Sequence, residues 1–232
     1  MTTLLMLGSA PMALQAATWP RPPFDRILAI NNAWAIRPDW DDCIYPWDFP
    51  ADRRPMARHN QHLITQEHFV PAQNAYGGFV YAGGTMAFTA AYWALHAHQP
   101  KTIAVFGCDM HYPANGPTHF YGHGTPDPLR LDITLRSLEA KSARLMILAA
   151  MQGTAMVNLS TGPSRLIFPR ASATDLPAGP AAFDAALTDL ALQREADLKY
   201  HVPSGRYWEQ ADQFDIAQID ALDQLWLAAA RA

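Results

Sequence analysis

Cysteine is nearly absent: Cys43 and Cys108 are the only two in 232 residues. Two thiols cannot make a disulfide framework, and neither belongs to a C-x-x-C pair, so the chain suits a reducing compartment. Charge is scarce as well, at 16% of residues, with 17 Lys and Arg against 21 Asp and Glu for a net −4. That balance gives no basic footprint for nucleic acid and no polybasic patch for a membrane. No apolar run approaches the ~20 residues that span a bilayer, so no transmembrane segment is expected. The stretch from Met1 to Ala17 is apolar and ends in small residues, as a signal peptide does. It has no Lys or Arg ahead of the apolar run, and Gly8 and Pro11 break that run, so a buried strand entering a tight turn is the better reading. Neither G-x-G-x-x-G nor a P-loop occurs, which removes dinucleotide and Walker-type chemistry.

What the chain does have is apolar material, 50% of residues with 11% aromatic, enough for a sizeable core. Short apolar runs at Thr3–Leu7, 26–31, 42–45, 62–65, 102–107 and 154–159 are unbroken rather than alternating, the pattern of strands covered on both faces. Helical patterns fall between them. Residues 84–98 are rich in Ala, carry Phe88, Tyr92 and Trp93 as a core-packing stripe, and are closed by Pro100. Residues 129–151 are helix-permissive throughout, with Asp127 or Asp132 near the start and Gly153 at the end. Alternation of this kind predicts an α/β fold: a single Rossmann-like, mostly parallel sheet flanked by helices. After Arg170 the character changes. A Pro-, Gly- and Ser-containing stretch at 171–180 precedes amphipathic helices at 181–200 and 215–230, with Arg206, Tyr207 and Trp208 between them. The expected division is a Rossmann-like domain over 1–170 and a helical C-terminal extension over 171–232 packed on the same domain. That extension is compatible with a cap, a lid or the surface of a homo-oligomer.

Ligands of open parallel sheets bind beyond the carboxyl ends of the strands. The residues following the strands are therefore the candidates: Gly8-Ser9-Ala10-Pro11, Asn31-Asn32, Gly107 to Tyr112, and Asn158 to Ser164. The segment 107–130 stands out. Within it lie His111, His119 and His123 with Asp109, Tyr112 and Tyr121, all among turn-forming residues. A loop of this length in a compact domain is commonly functional, and histidine is the side chain best suited to proton transfer near neutral pH. Surface histidines in a long loop are the bland alternative. As metal ligands, Asp109, His111, His119 and His123 match no compact zinc pattern. Asp39-Trp40-Asp41 spells D-x-D but precedes its strand.

In order along the chain, Gly8-Ser9-Ala10-Pro11, Phe24-Asp25 leading to Asn31, Gly107-Cys108-Asp109, and His119-Phe120-Tyr121-Gly122-His123 resemble the bacterial sialyltransferases of glycosyltransferase family 42. The corresponding elements there read roughly G-N-G-P-S, F-D-x-x-x-x-N, G-I-D-x-Y and H-Y-I-G-H. The resemblance covers about the first 170 residues. It implies a nucleotide-sugar-binding domain that moves a sugar, of the sialic or a related acidic type and CMP-linked, to a hydroxyl of a glycan or small-molecule acceptor by inverting displacement. No cofactor or metal is implied. His123 would be the general base, Tyr121 would hydrogen-bond the leaving phosphate, Ser9 and Asn31 would hold the nucleotide, and Asp109 matches the aspartate after strand five. The family's hydroxyl residues before the 84–98 helix meet Ala82 and Gly83, with Gly84 and Thr85 next to them. His111 stands where the family has Tyr, and Tyr112 is displaced by one. The implied location is cytoplasmic, with attachment at the inner membrane face left open. Two alternatives share the architecture: a pterin-type pyrophosphokinase, which would need ATP and Mg2+, and a binding protein without chemistry.

Overall fold

In the computed structural model, which describes residues 2–113, 115–124 and 127–231, the apolar runs form one six-stranded sheet. Its strands are β1 (Thr3–Leu7), β2 (Arg26–Ile30), β3 (Asp42–Ile44), β4 (His62–Ile64), β5 (Thr102–Phe106) and β6 (Ala155–Asn158). Their order is β4-β3-β2-β1-β5-β6, and every neighbouring pair is parallel. Five strands, β2 to β6, stop one residue earlier than the apolar pattern suggests; after β2 and β5 the reason is that Asn31 and Gly107 take positive φ, at 52° and 76°, and turn the chain out of extension.

Alternation along each strand divides the core in two. Leu4, Met6, Leu28, Ile30, Ile103 and Val105 face a helical layer. Leu5, Leu7, Ile27, Ala29, Ala104 and Phe106 face the other side. That second side is covered thinly by 3-10 turns at Pro11–Thr18 and Asn31–Ala35, with Trp19 packed on Phe106 at 4.5 Å. The helical layer holds α1 (Gln66–Asn74), α2 (Phe79–Ala82), α3 (Met86–His98), α4 (Leu138–Met151), α5 (Ala185–Leu198) and α6 (Ile216–Ala229). Phe88, Tyr92 and Trp93 are buried on α3, as the stripe suggests.

The helix expected over 129–151 is shorter. Asp132 ties up the Thr134 amide and hydroxyl at 2.8 and 2.6 Å in a separate turn, and Ser137 then caps α4 by accepting from the Ala140 amide. The C-terminal helices share the core of the sheet's helical face, where Trp226 and Ala229 belong to the same apolar cluster as Leu4 and Met6. Two buried ion pairs join them to α4: Lys141 with Asp223 at 2.9 Å, and Arg144 with Glu195 at 2.7 Å. Among the described residues, no helix is long and apolar enough to cross a membrane.

Candidate functional site

The sheet is wound outward in both directions from β1 and β5. β1 leads toward β2, while β5 leads toward β6 on the other side. Loops leaving in opposite directions open a crevice at the carboxyl ends of these two strands. Glycine makes the floor possible. A Cβ on Gly8 would stand 2.3 Å from the Gly107 carbonyl oxygen, and the backbones are stitched there by Gly8 N–H to Phe106 O (2.8 Å) and Ala10 N–H to Gly107 O (3.0 Å). Gly8→Ala is therefore expected to force main chain apart and destabilise the protein by about 1–3 kcal/mol. Urea unfolding reads this directly, and an unchanged midpoint would contradict the close approach.

The resulting cleft has a volume of about 190 Å3. Of the residues singled out in the sequence, Gly8, Ser9, Asn31, Thr85, Asp109, His111, Tyr112, His119 and Tyr121 line it. The others do not. Pro11 starts the 3-10 turn behind the floor, and Asn32 lies within the next one. Gly84 faces away, toward Thr134 Oγ1, the Tyr207 hydroxyl and Arg130. Asn158 and Ser164 stand behind Asp109 rather than in the cleft. The Asn158 amide donates to Asp109 Oδ1 (3.0 Å) and to Ser164 Oγ (3.1 Å), so the pair holds the carboxylate in place. His123 is exposed and outside the lining. The reason is the turn before it: reciprocal 3.0 Å bonds between the His119 and Gly122 backbones close a tight hairpin, and Gly122 takes φ +115°. His119 and Tyr121 are thereby left against the cleft, their rings stacked at 5.0 Å.

Two parts of the lining differ in hydrogen-bonding character. One is the start of α3. Thr85 Oγ1 accepts from the Phe88 amide and the Thr85 carbonyl from the Thr89 amide. The amides of Met86 and Ala87, also lining residues, are first-turn donors without an intrahelical acceptor. An anion is favoured there. Elsewhere in the lining, Asp109 is 5% exposed, and its Oδ2 has no partner among the described residues; neither has the buried Asn31 Oδ1. Two buried acceptors without donors call for a ligand that brings hydroxyl or amino hydrogens. The cleft thus suits a molecule that carries both an anionic group and hydrogen-bond donors.

Burial lowers the pKa of His119 from its ordinary 6.5, so the ring is neutral at pH 7 and able to accept a proton. Burial pushes the Cys108 thiol far up, as it does that of Cys43, to about 12; Cys108 lines the cleft as a neutral side chain and not as a thiolate. Thr118 and Met110 also line the cleft; both lie inside the histidine-rich segment but carry no motif of their own. The C-terminal segment braces the loop. The Tyr207 hydroxyl donates to Asp132 Oδ2 (2.9 Å) and accepts from Arg130 (3.0 Å), while Arg206 and Trp208 are exposed. Asp39 and Asp41 of the D-x-D triplet are engaged by Arg37 and Arg21, and Asp41 also accepts from the Ile27 amide at 2.7 Å.

A wider cavity of about 590 Å3 lies on the helical side, over Tyr76, Tyr81, Arg144 and Glu195. Its charged floor is already satisfied within the protein. Arg144 binds both Glu195 oxygens, the Tyr92 hydroxyl and the Tyr76 carbonyl, and Trp226 Nε1 donates to Glu195.

Fold and cleft together define an all-parallel α/β protein with a ligand crevice at its topological switch point. No family model, curated protein or solved structure matches the chain.

Proposed function

We propose that the chain is a sialyltransferase-like glycosyltransferase that moves a sugar from a nucleotide donor to a hydroxyl acceptor. The observation that carries this reading is the convergence of three things in one crevice: the open amides at the start of α3, the unpartnered Asp109 oxygen, and the neutral imidazole of His119. The donor phosphate sits by the first turn of α3, where its charge is stabilised as the bond to the sugar breaks. Asp109 and Asn31 accept hydrogens from the nucleoside. His119 takes the acceptor's hydroxyl proton as that oxygen bonds to the anomeric carbon, and the bonding pair departs with the phosphate. His119 holds this role in preference to His123 because it lines the crevice and His123 does not. At about 190 Å3 the crevice is smaller than the roughly 300–1,000 Å3 of sites that enclose a drug-sized ligand. The donor is therefore seated in part and extends past the 118–124 hairpin.

A thermal-shift panel of CMP, UDP, GDP and ATP, each with and without Mg2+, tests the reading. Selective stabilisation by CMP without Mg2+ is expected; at a hundredfold excess over Kd a ligand adds about 2.7 kcal/mol. Stabilisation by ATP only with Mg2+ would move the assignment to a pyrophosphokinase. No stabilisation by any of them would make the crevice a site for something other than a nucleotide.

A further inference from the structure

We infer that Thr118 is a positioning residue that fixes the tautomer of His119, placing the ring proton on Nδ1 and leaving Nε2 as the lone-pair nitrogen. The inference rests on the proposed transfer only for its catalytic consequence.

The argument is one of hydrogen-bond counting. Thr118 Oγ1 has three neighbours at bonding distance: the Gly124 amide at 3.0 Å, the Gly124 carbonyl oxygen at 3.2 Å, and His119 Nδ1 at 2.9 Å. A hydroxyl carries one hydrogen and two lone pairs. The Gly124 amide must donate to it. If the hydroxyl hydrogen goes to the Gly124 carbonyl, Nδ1–H donates to the second lone pair and all three bonds form. If the hydrogen goes to Nδ1 instead, the carbonyl contact is lost and only two remain. The first arrangement satisfies every group, and one additional bond corresponds to about a two- to tenfold preference between tautomers. The ring nitrogen that carries the proton is set by the bond its counterpart makes.

A second observation shows that the contact is built into the loop. A Cβ on Gly124 would lie 2.6 Å from His119 Nδ1 and 2.8 Å from its Cε1. Gly124 has an unstrained φ and is needed here for space: its backbone binds Thr118 from one side while the imidazole lies where a side chain would begin. Thr118 and His119 both line the crevice, so the ring held in this way belongs to the site itself. Among the described residues no hydrogen bond engages Nε2, which leaves it for an acceptor hydroxyl.

Long-range proton–nitrogen correlation spectra of isotopically labelled protein decide the question, with the His119 signals identified by their loss in His119→Gln. The expected result is a protonated-type shift at Nδ1 and an unprotonated-type shift at Nε2 at neutral pH. Thr118→Ser should retain that pattern, and Thr118→Val should bring the two nitrogens toward averaged shifts. Protonation at Nε2 in the unaltered protein, or an unchanged pattern in Thr118→Val, would overturn the inference. With a donor in hand, Thr118→Val should lower kcat by about tenfold with KM little changed, and Thr118→Ser should restore it. If the spectra behave as expected and no nucleotide sugar is turned over, the transfer reading fails and the tautomer assignment stands.

Discussion

His119→Ala should lower the turnover of a metal-independent sugar transfer by about 10²-fold or more, while nucleotide binding measured by calorimetry stays within a few-fold. In the proposed transfer the base acts on the acceptor hydroxyl and not on the nucleotide, so the two measurements separate. His123→Ala should leave turnover near that of the unaltered protein, because His123 lies in solvent outside the crevice. The opposite ranking would return the base role to His123. The pH profile carries the same information. Burial disfavours the charged imidazole of His119, so its pKa lies below the ordinary 6.5, and the base form persists to lower pH than in an exposed histidine. The acidic limb of kcat should therefore have its midpoint below 6.5, whereas a limb above that value would contradict a buried neutral base.

The largest effect on stability is expected from the Arg144–Glu195 pair. Glu195→Ala leaves a guanidinium, only 2% exposed, without its counter-ion and removes the acceptor of Trp226 Nε1. Breaking one side of such a pair costs about 3–5 kcal/mol, a large share of the roughly 5–15 kcal/mol that holds a domain together. Urea unfolding should show the loss, with most of it recovered in the double variant Arg144→Met/Glu195→Leu, where neither charge is buried alone. A single variant as stable as the unaltered protein would mean that Arg144 finds water through the adjoining cavity.

The sheet was legible in the sequence because its strands are covered on both faces. Such strands read as unbroken apolar runs, and Leu4 to Leu7 or Ile103 to Phe106 cannot be mistaken for amphipathic surface. Two features were hidden. α1 contains Pro71, a residue that argues against a helix, and begins with a capping box between Thr65 and His68. The start of α4 was hidden as well, since Asp132 prefers a turn with Thr134 in a stretch whose composition permits a helix. In the crevice, the residues that follow β1, β2 and β5 were legible from the rule for open sheets. The choice between His119 and His123 was not. It depends on a two-residue turn and on the space left by Gly124, and spacing along the chain does not encode which ring faces inward. Asn158 and Ser164 were found for the right reason, their place after β6, but they act through Asp109.

The brace between Tyr207 and the Arg130–Asp132 corner has a consequence for the order in which the molecule is made. When β6 has left the ribosome, all six strands exist, yet Lys141 and Arg144 still lack Asp223 and Glu195. The Asp132 carboxylate still waits for a hydroxyl from a residue 75 positions downstream. A nascent chain at this stage can pair its strands but cannot tie down the Arg130–Asp132 corner at the end of the histidine-rich loop. The far end of that loop is therefore fixed only by the last part of the chain to be synthesised, and a ribosome-stalled protein released before Tyr207 should be structured at the sheet while the amides around Thr134 exchange faster than in the full chain.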